Sequence, residues 1–433
     1  MDSIWKQRTV IPAFPALTKD EHTDVLVIGG GLTGLLCGFL LTQEGLSCIV
    51  AEADTILSGV SGNTTAKITS QHGLIYSKLT DRYGMETAKQ YYIANQMALA
   101  EYRKLAATMP CDFTQEPAYI YSRGSADPLK AECDLVHSFG GSAELQKELP
   151  LPFPVTAALC FPEQAQFHPV KFAAAIAGQL RIFEHTPIRS LNGNVAETPQ
   201  GHIRARHVIV ATHFPFLRFR GGYFLKQYQE RSYVICLSHA APLSGMYLDM
   251  EKGGLSFRSH GDLLLLGGGG HRTGKKGSWE FVRAAAKKYY PVAREVSHWA
   301  AQDCMTLDGM PYIGSYGQGQ YVATGFNKWG MTSAMVSAMT LRDQILERDC
   351  PWGNLFSPSR SMLHPQLALN ALEATKNLLT PTAPRCPHMG CALKWNPAEQ
   401  SWDCPCHGSR FDRQGKLFSG PADHGIASQG RKQ

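Results

Sequence analysis

The tightest constraint on this chain is the run Val25-Leu26-Val27-Ile28-Gly29-Gly30-Gly31-Leu32-Thr33-Gly34, four apolar residues leading into G-x-G-x-x-G. A continuous apolar run that stops at glycine reads as a parallel strand buried on both faces, here Asp24 to Gly29. A helix follows from about Leu32 to Gln43, Gly45 ends it, and Ser47 to Glu52 reads as a second strand, so the segment predicts a βαβ unit. Each glycine has a physical task. Gly29 permits the tight turn, Gly31 lets backbone N–H groups close on a pyrophosphate, and Gly34 lets helix and strand pack closely. Glu52, 23 positions after Gly29, can accept hydrogen bonds from ribose hydroxyls. The unit therefore predicts a dinucleotide site, and because FAD and NAD share the ADP half, the glycines do not choose between them.

One βαβ unit fills a small part of 433 residues, and a chain of that length needs two or three cores. At 44% hydrophobic and 18% charged the composition is that of an ordinary globular enzyme. The formal charge of +6 is spread along the chain without a basic block, which argues against nucleic-acid partners. Residues Met1 to Asp24 carry Pro12, Pro15 and scattered charges where a signal peptide would have its apolar core, and no apolar run of 18 residues follows. The expectation is a cytoplasmic protein with no membrane span that acts on a small molecule.

Further elements fall into place by periodicity. Ala88, Tyr91, Tyr92, Ala94, Met97 and Tyr102 mark one long helix between Thr80 and Leu105, and His168-Pro169 starts another. A turn-rich segment, Asn192 to Gly201, precedes a third apolar strand at His207 to Thr212. From Tyr223 to Arg258 the alternation is that of an antiparallel sheet, within a substrate region of about 223–300. A strand at Gln320 to Thr324 then leads through Gly325 into a helix from about Met331 to Glu347. Nucleotide-type strands thus recur at three separated places, so the two domains interleave. The predicted organisation is a leader at 1–23, interleaved nucleotide and substrate domains at 24–350, a linker at 351–384 with five prolines and one helix near Gln366 to Leu379, and a C-terminal unit at 385–433.

Four of the twelve cysteines fall between Cys386 and Cys406, a clustering that points to a metal site and away from a secreted disulfide framework. Cys386-Pro387-His388 and Cys404-Pro405-Cys406-His407, fifteen residues apart, each offer one thiolate and one imidazole. A Rieske [2Fe–2S] centre takes two cysteines on one iron and two histidines on the other, and this spacing supplies them. A tetrahedral zinc site could draw on the same donors, although zinc sites usually space them C-x-x-C and H-x(3–5)-H.

The segments Cys386-Pro387-His388-Met389-Gly390-Cys391 and Trp402 to Phe411, with Gly420-Pro421-Ala422 after them, resemble the two cluster loops and the proline loop of Rieske proteins. The resemblance implies metal ligands at Cys386, His388, Cys404 and His407, and a loop-clamping disulfide between Cys391 and Cys406. The chain departs from that family in length: a helical linker stands directly before Cys386 and eleven residues follow Ala422, so a shortened or missing base subdomain is expected.

Across Asp24 to Glu347 the chain resembles the D-amino-acid oxidase/glycine oxidase-like (DAO) family of FAD-dependent oxidoreductases. The likeness rests on Ser61-Gly62-Asn63-Thr64-Thr65-Ala66, on the strand His207 to Thr212, on Asp308-Gly309-Met310-Pro311-Tyr312-Ile313-Gly314, and on Ala323-Thr324-Gly325-Phe326-Asn327-Lys328-Trp329-Gly330-Met331-Thr332. It implies an α/β fold (α+β overall): a Rossmann-like FAD-binding domain interleaved with an antiparallel-sheet substrate domain, followed by the small, shortened Rieske-type domain. It implies FAD contacts at Gly29, Gly31, Leu32, Thr33, Gly34, Glu52, Ser61, Thr64, Thr65, Ala66, Ala211, Thr212, Gly325, Gly330, Met331 and Thr332. The helix opening near Gly330 would direct its N-terminal N–H groups at the flavin and favour the anionic reduced ring. Two departures stand out. The family's Ala-Thr-Gly after the third strand is Ala211-Thr212-His213 here, and no residue matches its substrate-carboxylate arginine.

Within that frame Lys328 and Trp329 are candidates to face the flavin, His271 to act as acid or base, and Arg231 or Tyr233 to hold an anionic group. The expected activity is FAD-dependent oxidation of a small substrate, an amine or amino acid by class, with electrons passed to the Rieske cluster and on to an unknown acceptor. Two alternatives remain open at this point: an oxidase that uses dioxygen and carries a vestigial Rieske segment, and a redox-sensing or electron-carrier module.

Overall fold

The computed structural model describes residues 2–217, 220–381 and 384–426; Met1 of the leader, 382–383 of the linker and 427–433 of the C-terminal unit lie outside the described residues. The βαβ unit forms as expected. Strand Glu21–Ile28 pairs in parallel with Cys48–Ala51 on one side and with Gly201–Val210 on the other. Arg181–Phe183 and Gln320–Thr324 extend this sheet outward in parallel, and it reaches eight strands. Val25 to Ile28 are buried because both faces of the sheet are covered. The helix Leu32–Gln43 is apolar almost all round, and its residues from Leu32 to Leu41 are all buried. It packs against the sheet and against the helices Pro169–Ala177 and Gly330–Ile345, so it has no solvent face to fill with charges.

The second sheet also has eight strands, in the order Arg294–Thr306, Gln227–Ser238, Leu263–Arg272, Ser256–His260, Met246–Asp249, Ala118–Ser122, Ala157–Phe161, Glu144–Gln146. It is broader than the sequence suggests. Three of its strands come from before residue 162, Met246–Asp249 runs parallel to Ala118–Ser122, and Tyr223–Lys226 is a helical turn. Those upstream strands are short and separated by loops, so alternation in a local window does not reveal them.

Three other expectations shift. The long helix is two, Ile75–Tyr83 and Met85–Ala106, broken where Gly84 takes φ +88, a conformation that side chains resist. The turn-rich segment after residue 189 is a hairpin, Ser190–Asn192 with Val195–Thr198, laid antiparallel against Gly201–Val210. The leader is not merely extended. It carries a short helix, Ile4–Gln7, the first strand already begins at Glu21, and the fully buried Trp5 donates its indole N–H to the Thr64 carbonyl at 2.7 Å.

The C-terminal unit consists of helix Pro365–Leu379 and four antiparallel strands of two or three residues: Lys394–Asn396, Ser401–Asp403, Arg410–Phe411 and Leu417–Ser419. Its small core gathers Leu393, Phe411 and Ala422 around the four clustered cysteines. Among the described residues no helix is long and apolar enough to cross a membrane.

Candidate functional site

A cavity of about 520 Å³ runs along the junction of the two large sheets. At one end lie Gly29, Gly31, Leu32, Thr33 and Glu52, the predicted dinucleotide edge. The glycines are required there. A Cβ on Gly34 would stand 1.9 Å from the Gly29 carbonyl oxygen, one on Gly29 would stand 2.9 Å from that of Ala211, and Gly29 itself has φ +116. The Glu52 carboxylate accepts the Gly30 N–H at 2.6 Å and the Asp54 N–H at 2.9 Å, which aim it at the cavity. Burial raises this carboxyl, and the two amides oppose the shift. Leu32 donates its backbone N–H to Ser61 Oγ at 2.9 Å, joining the helix start to the loop that carries Ser61, Thr64 and Thr65.

The structure brings most of the predicted contacts to this cavity: Ser61, Thr64, Thr65, Ala211, Thr212, Gly325, Gly330 and Met331 all line it. Three do not. Gly34 sits under the turn, the Ala66 carbonyl accepts from Arg258 Nη1 at 3.0 Å, and the Thr332 hydroxyl is used on the Thr69 carbonyl and His72. Gly330 and Met331 begin the helix Gly330–Ile345, so a helix N-terminus opens on the cavity and favours negative charge there.

Lys328 and Trp329 also line the cavity. The Lys328 ammonium pairs with Glu230 at 2.8 Å, and Lys252 pairs with the other Glu230 oxygen at 2.9 Å. Burial would raise Glu230, but the two lysines hold its carboxyl below the usual value. The Trp329 ring stacks on His72 at 4.6 Å, and burial drives that imidazole down to about 3, so it is neutral. His271 is not a lining residue: its ring lies on Tyr233 at 5.7 Å and Nδ1 approaches the Gly269 carbonyl at 3.0 Å. Arg231 is not free to hold a ligand either, because its guanidinium clasps Glu399 of the C-terminal unit through two donors. Tyr233 does line the cavity.

Two lining residues had no signal in the sequence. Lys67 sits on the short strand Lys67–Ile68 and donates to the Tyr247 carbonyl at 2.9 Å and to Ser256 Oγ at 2.5 Å. Burial brings it down to about 7, with Arg258 adding to the effect, and among the described residues no carboxylate pairs with it. Asp303, on Arg294–Thr306, is pushed up to about 6 by burial, against the pull of Lys328. Both carry a charge whose meaning depends on neighbours brought in from other sheets, which no local motif encodes.

The four predicted metal ligands meet as two pairs in the C-terminal unit. Cys386 and Cys404 are buried neighbours whose thiols interact, and the His388 and His407 rings lie 4.9 Å apart at 89°. His407 Nε2 is committed to the Phe224 carbonyl at 2.9 Å, whereas its buried Nδ1 has no hydrogen-bond partner. That fixes the tautomer with a lone pair on Nδ1, as a metal-bound imidazole requires. Burial also holds this ring neutral, at about 4. The Cys391 and Cys406 sulfurs, the pair that the resemblance implies as a disulfide, lie within 4.8 Å of each other and of Cys404.

The C-terminal unit is docked on the cavity. Gln302 donates to the Gly408 carbonyl at 2.8 Å, Arg272 to that of Pro405 at 3.3 Å, and Phe418, Ser419 and Gly420 form part of the cavity wall. The family departure at His213 lies at this junction. His213 lines the cavity and its Nε2 pairs with Gln229 Oε1 at 2.8 Å, while Gln229 packs on Gly408. The next residue, Phe214, places its ring 5.9 Å from His407 and 6.2 Å from His388.

Comparison with known proteins agrees with this geometry. Residues 24–344 match the family model for FAD dependent oxidoreductase (DAO), and residues 361–429 match that for the Rieske [2Fe-2S] domain. A Bacillus subtilis (strain 168) protein that carries the name Rieske 2Fe-2S iron-sulfur protein YhfW is 31% identical over 97% of this chain and 96% of its own length. Among solved structures, L-proline dehydrogenase from P. horikoshii superposes with a TM-score of 0.67 at 17% identity, over 79% of this chain and 98% of that one. Glycine oxidase from Geobacillus kaustophilus does so with a TM-score of 0.64 at 19% identity, over 79% and 100%.

Proposed function

This chain belongs to the DAO family of FAD-dependent oxidoreductases and ends in a Rieske [2Fe–2S] domain, and from that premise we propose that it oxidises a small amine or amino acid and passes the electrons to its own cluster. The residues present fit both groups. Glycines 29 and 34 leave a cradle that a Cβ would fill, Glu52 is aimed by two amides, and His407 keeps an unpartnered buried Nδ1 on a ring 4.9 Å from that of His388. When bound, FAD accepts a hydride equivalent from a C–H bond next to nitrogen, and the [2Fe–2S] cluster carries electrons one at a time to an external acceptor.

The observation that carries the coupling is the bridge at residues 211–214. Ala211, Thr212 and His213 line the cavity, and Phe214 touches both histidines of the cluster site. A backbone step of one residue thus separates the two centres' walls. On the substrate side, Lys67 is a cavity-lining amine brought down to about 7 that has no carboxylate partner among the described residues, and a substrate carboxylate would favour its charged form. Asp303, titrating near 6, is suited to take the proton that a substrate ammonium loses before oxidation. Trp329, stacked on neutral His72, contributes aromatic surface to the cavity lining. A cytoplasmic site of action is part of the same reading, supported by cysteines clustered in a metal-ligand pattern.

Anaerobic titration with a panel of amines and amino acids tests the proposal. A substrate should bleach the flavin absorbance, and the electron paramagnetic resonance signal of the reduced cluster should grow with it. A cluster signal that never responds while the flavin is reduced would sink the coupling.

A further inference from the structure

We propose that Phe418, a residue of the C-terminal unit, sets the size of ligand that the flavin cavity admits. This rests on the reading of the cavity's sheet side as the substrate end. Part of the wall there is bare glycine backbone. Strand Leu263–Arg272 changes from four buried leucines to four glycines, and Gly267, Gly268 and Gly270 line the cavity together with Gly253 and Gly254. These glycines are packed backbone to backbone. A Cβ on Gly253 would stand 3.1 Å from the Gly270 carbonyl oxygen, and one on Gly268 the same distance from that of Gly254. Glycine backbone leaves this stretch of the wall open, so the side chains that complete the cavity set how large a ligand fits.

Phe418 is one of them. It lines the same cavity with Ser419 and Gly420, and it is 53% exposed, unlike the buried aromatics of the core. Its place is fixed by a train of charged contacts. The Arg410 guanidinium lies 4.9 Å from the Phe418 ring centroid and is held by Asp403 at 2.9 Å and Glu399 at 2.8 Å. Glu399 also clasps Arg231, whose strand partner is His271, next to Gly270. The ring is therefore registered to the glycine strand through Arg410, Glu399 and Arg231. The residue that grades ligands by size then lies outside the segment that matches the FAD-dependent oxidoreductase family, and the cavity is complete when the C-terminal unit is docked.

The test uses full-length holoenzyme with Phe418→Ala and Phe418→Trp, both at an exposed position where folding is preserved. Acetate, isovalerate and benzoate are titrated into the oxidised protein, and binding is read from the shift of the flavin's visible bands. Phe418→Ala should tighten benzoate relative to acetate by at least tenfold, Phe418→Trp should reverse that preference, and FAD content and the cluster spectrum should stay as in the wild type. An unchanged ranking, no carboxylate binding to any of the three proteins, or loss of FAD from Phe418→Ala would overturn the proposal, the last by making Phe418 a cofactor contact. Because the assay needs no turnover, failure of every amine to reduce the flavin would count against the proposed activity and leave this result standing by itself.

Discussion

Glu399→Gln should loosen the C-terminal unit from the flavin domain, and the structure gives the size of the effect. The Arg231 side chain is 4% exposed and makes its ion pair with Glu399, which is 10% exposed and also holds Arg410. Neutralising Glu399 leaves Arg231 buried without its counter-charge, at a cost of about 3–5 kcal/mol. Arg410 loses less, since Asp403 stays at 2.9 Å and Ser401 Oγ at 2.8 Å. Arg231→Met is gentler because Glu399 remains paired with Arg410, and a loss of about 1.5–3 kcal/mol is expected for charged hydrogen bonds. Urea titration distinguishes the cases, since cluster absorbance reports the C-terminal unit and flavin fluorescence the larger domain. With a slope of roughly 2 kcal/mol per molar, Glu399→Gln should lower the cluster midpoint by about 2 M and separate it from the flavin midpoint. The double variant Arg231→Met/Glu399→Leu should recover most of the loss, because apolar groups of similar volume replace a buried pair at little cost. A Glu399→Gln midpoint within about 0.5 M of wild type, which that slope makes about 1 kcal/mol, would refute the reasoning.

Cys386→Ser should abolish the cluster's visible absorbance and leave FAD bound, as checked by iron, sulfide and flavin content; retained iron and sulfide at wild-type levels would remove Cys386 from the ligand set. Gly34→Ala puts a Cβ 1.9 Å from the Gly29 carbonyl oxygen, so the purified variant should hold little or no FAD. For Asp303 the sign follows from a folded carboxyl at about 6, above the usual value near 3.9. Its stabilisation is complete below pH ~4 and is lost as pH rises through about 6, a change on the order of 3 kcal/mol for roughly two units. Asp303→Asn should therefore flatten the melting-temperature profile between those values, and an identical slope in both proteins would count against a raised Asp303.

Much of this molecule is written in short stretches of sequence. The turn at Gly29 to Gly34 needs glycine for steric reasons that act within one βαβ unit, and Glu52 ends the next strand, so a local motif announces the dinucleotide edge. The two Cys/His loops are equally local: each brings one thiol and one imidazole within a few residues, and folding has only to bring the two loops together. What the tertiary structure decided is what lies between. Arg231, read from sequence as a ligand-binding cation, is consumed by Glu399, 168 positions away, and His271 is turned onto Tyr233. Lys67 and Asp303 acquire their character from burial among strands far apart in the chain, and the alternation of single strands carries no record of which sheet will cover them. The junction of the two cofactor sites at His213, Phe214 and Phe418 depends on how the C-terminal unit docks. Charge pairing and packing over long sequence separations are set by the fold as a whole, whereas turn sterics and ligand spacing are set by the residues themselves.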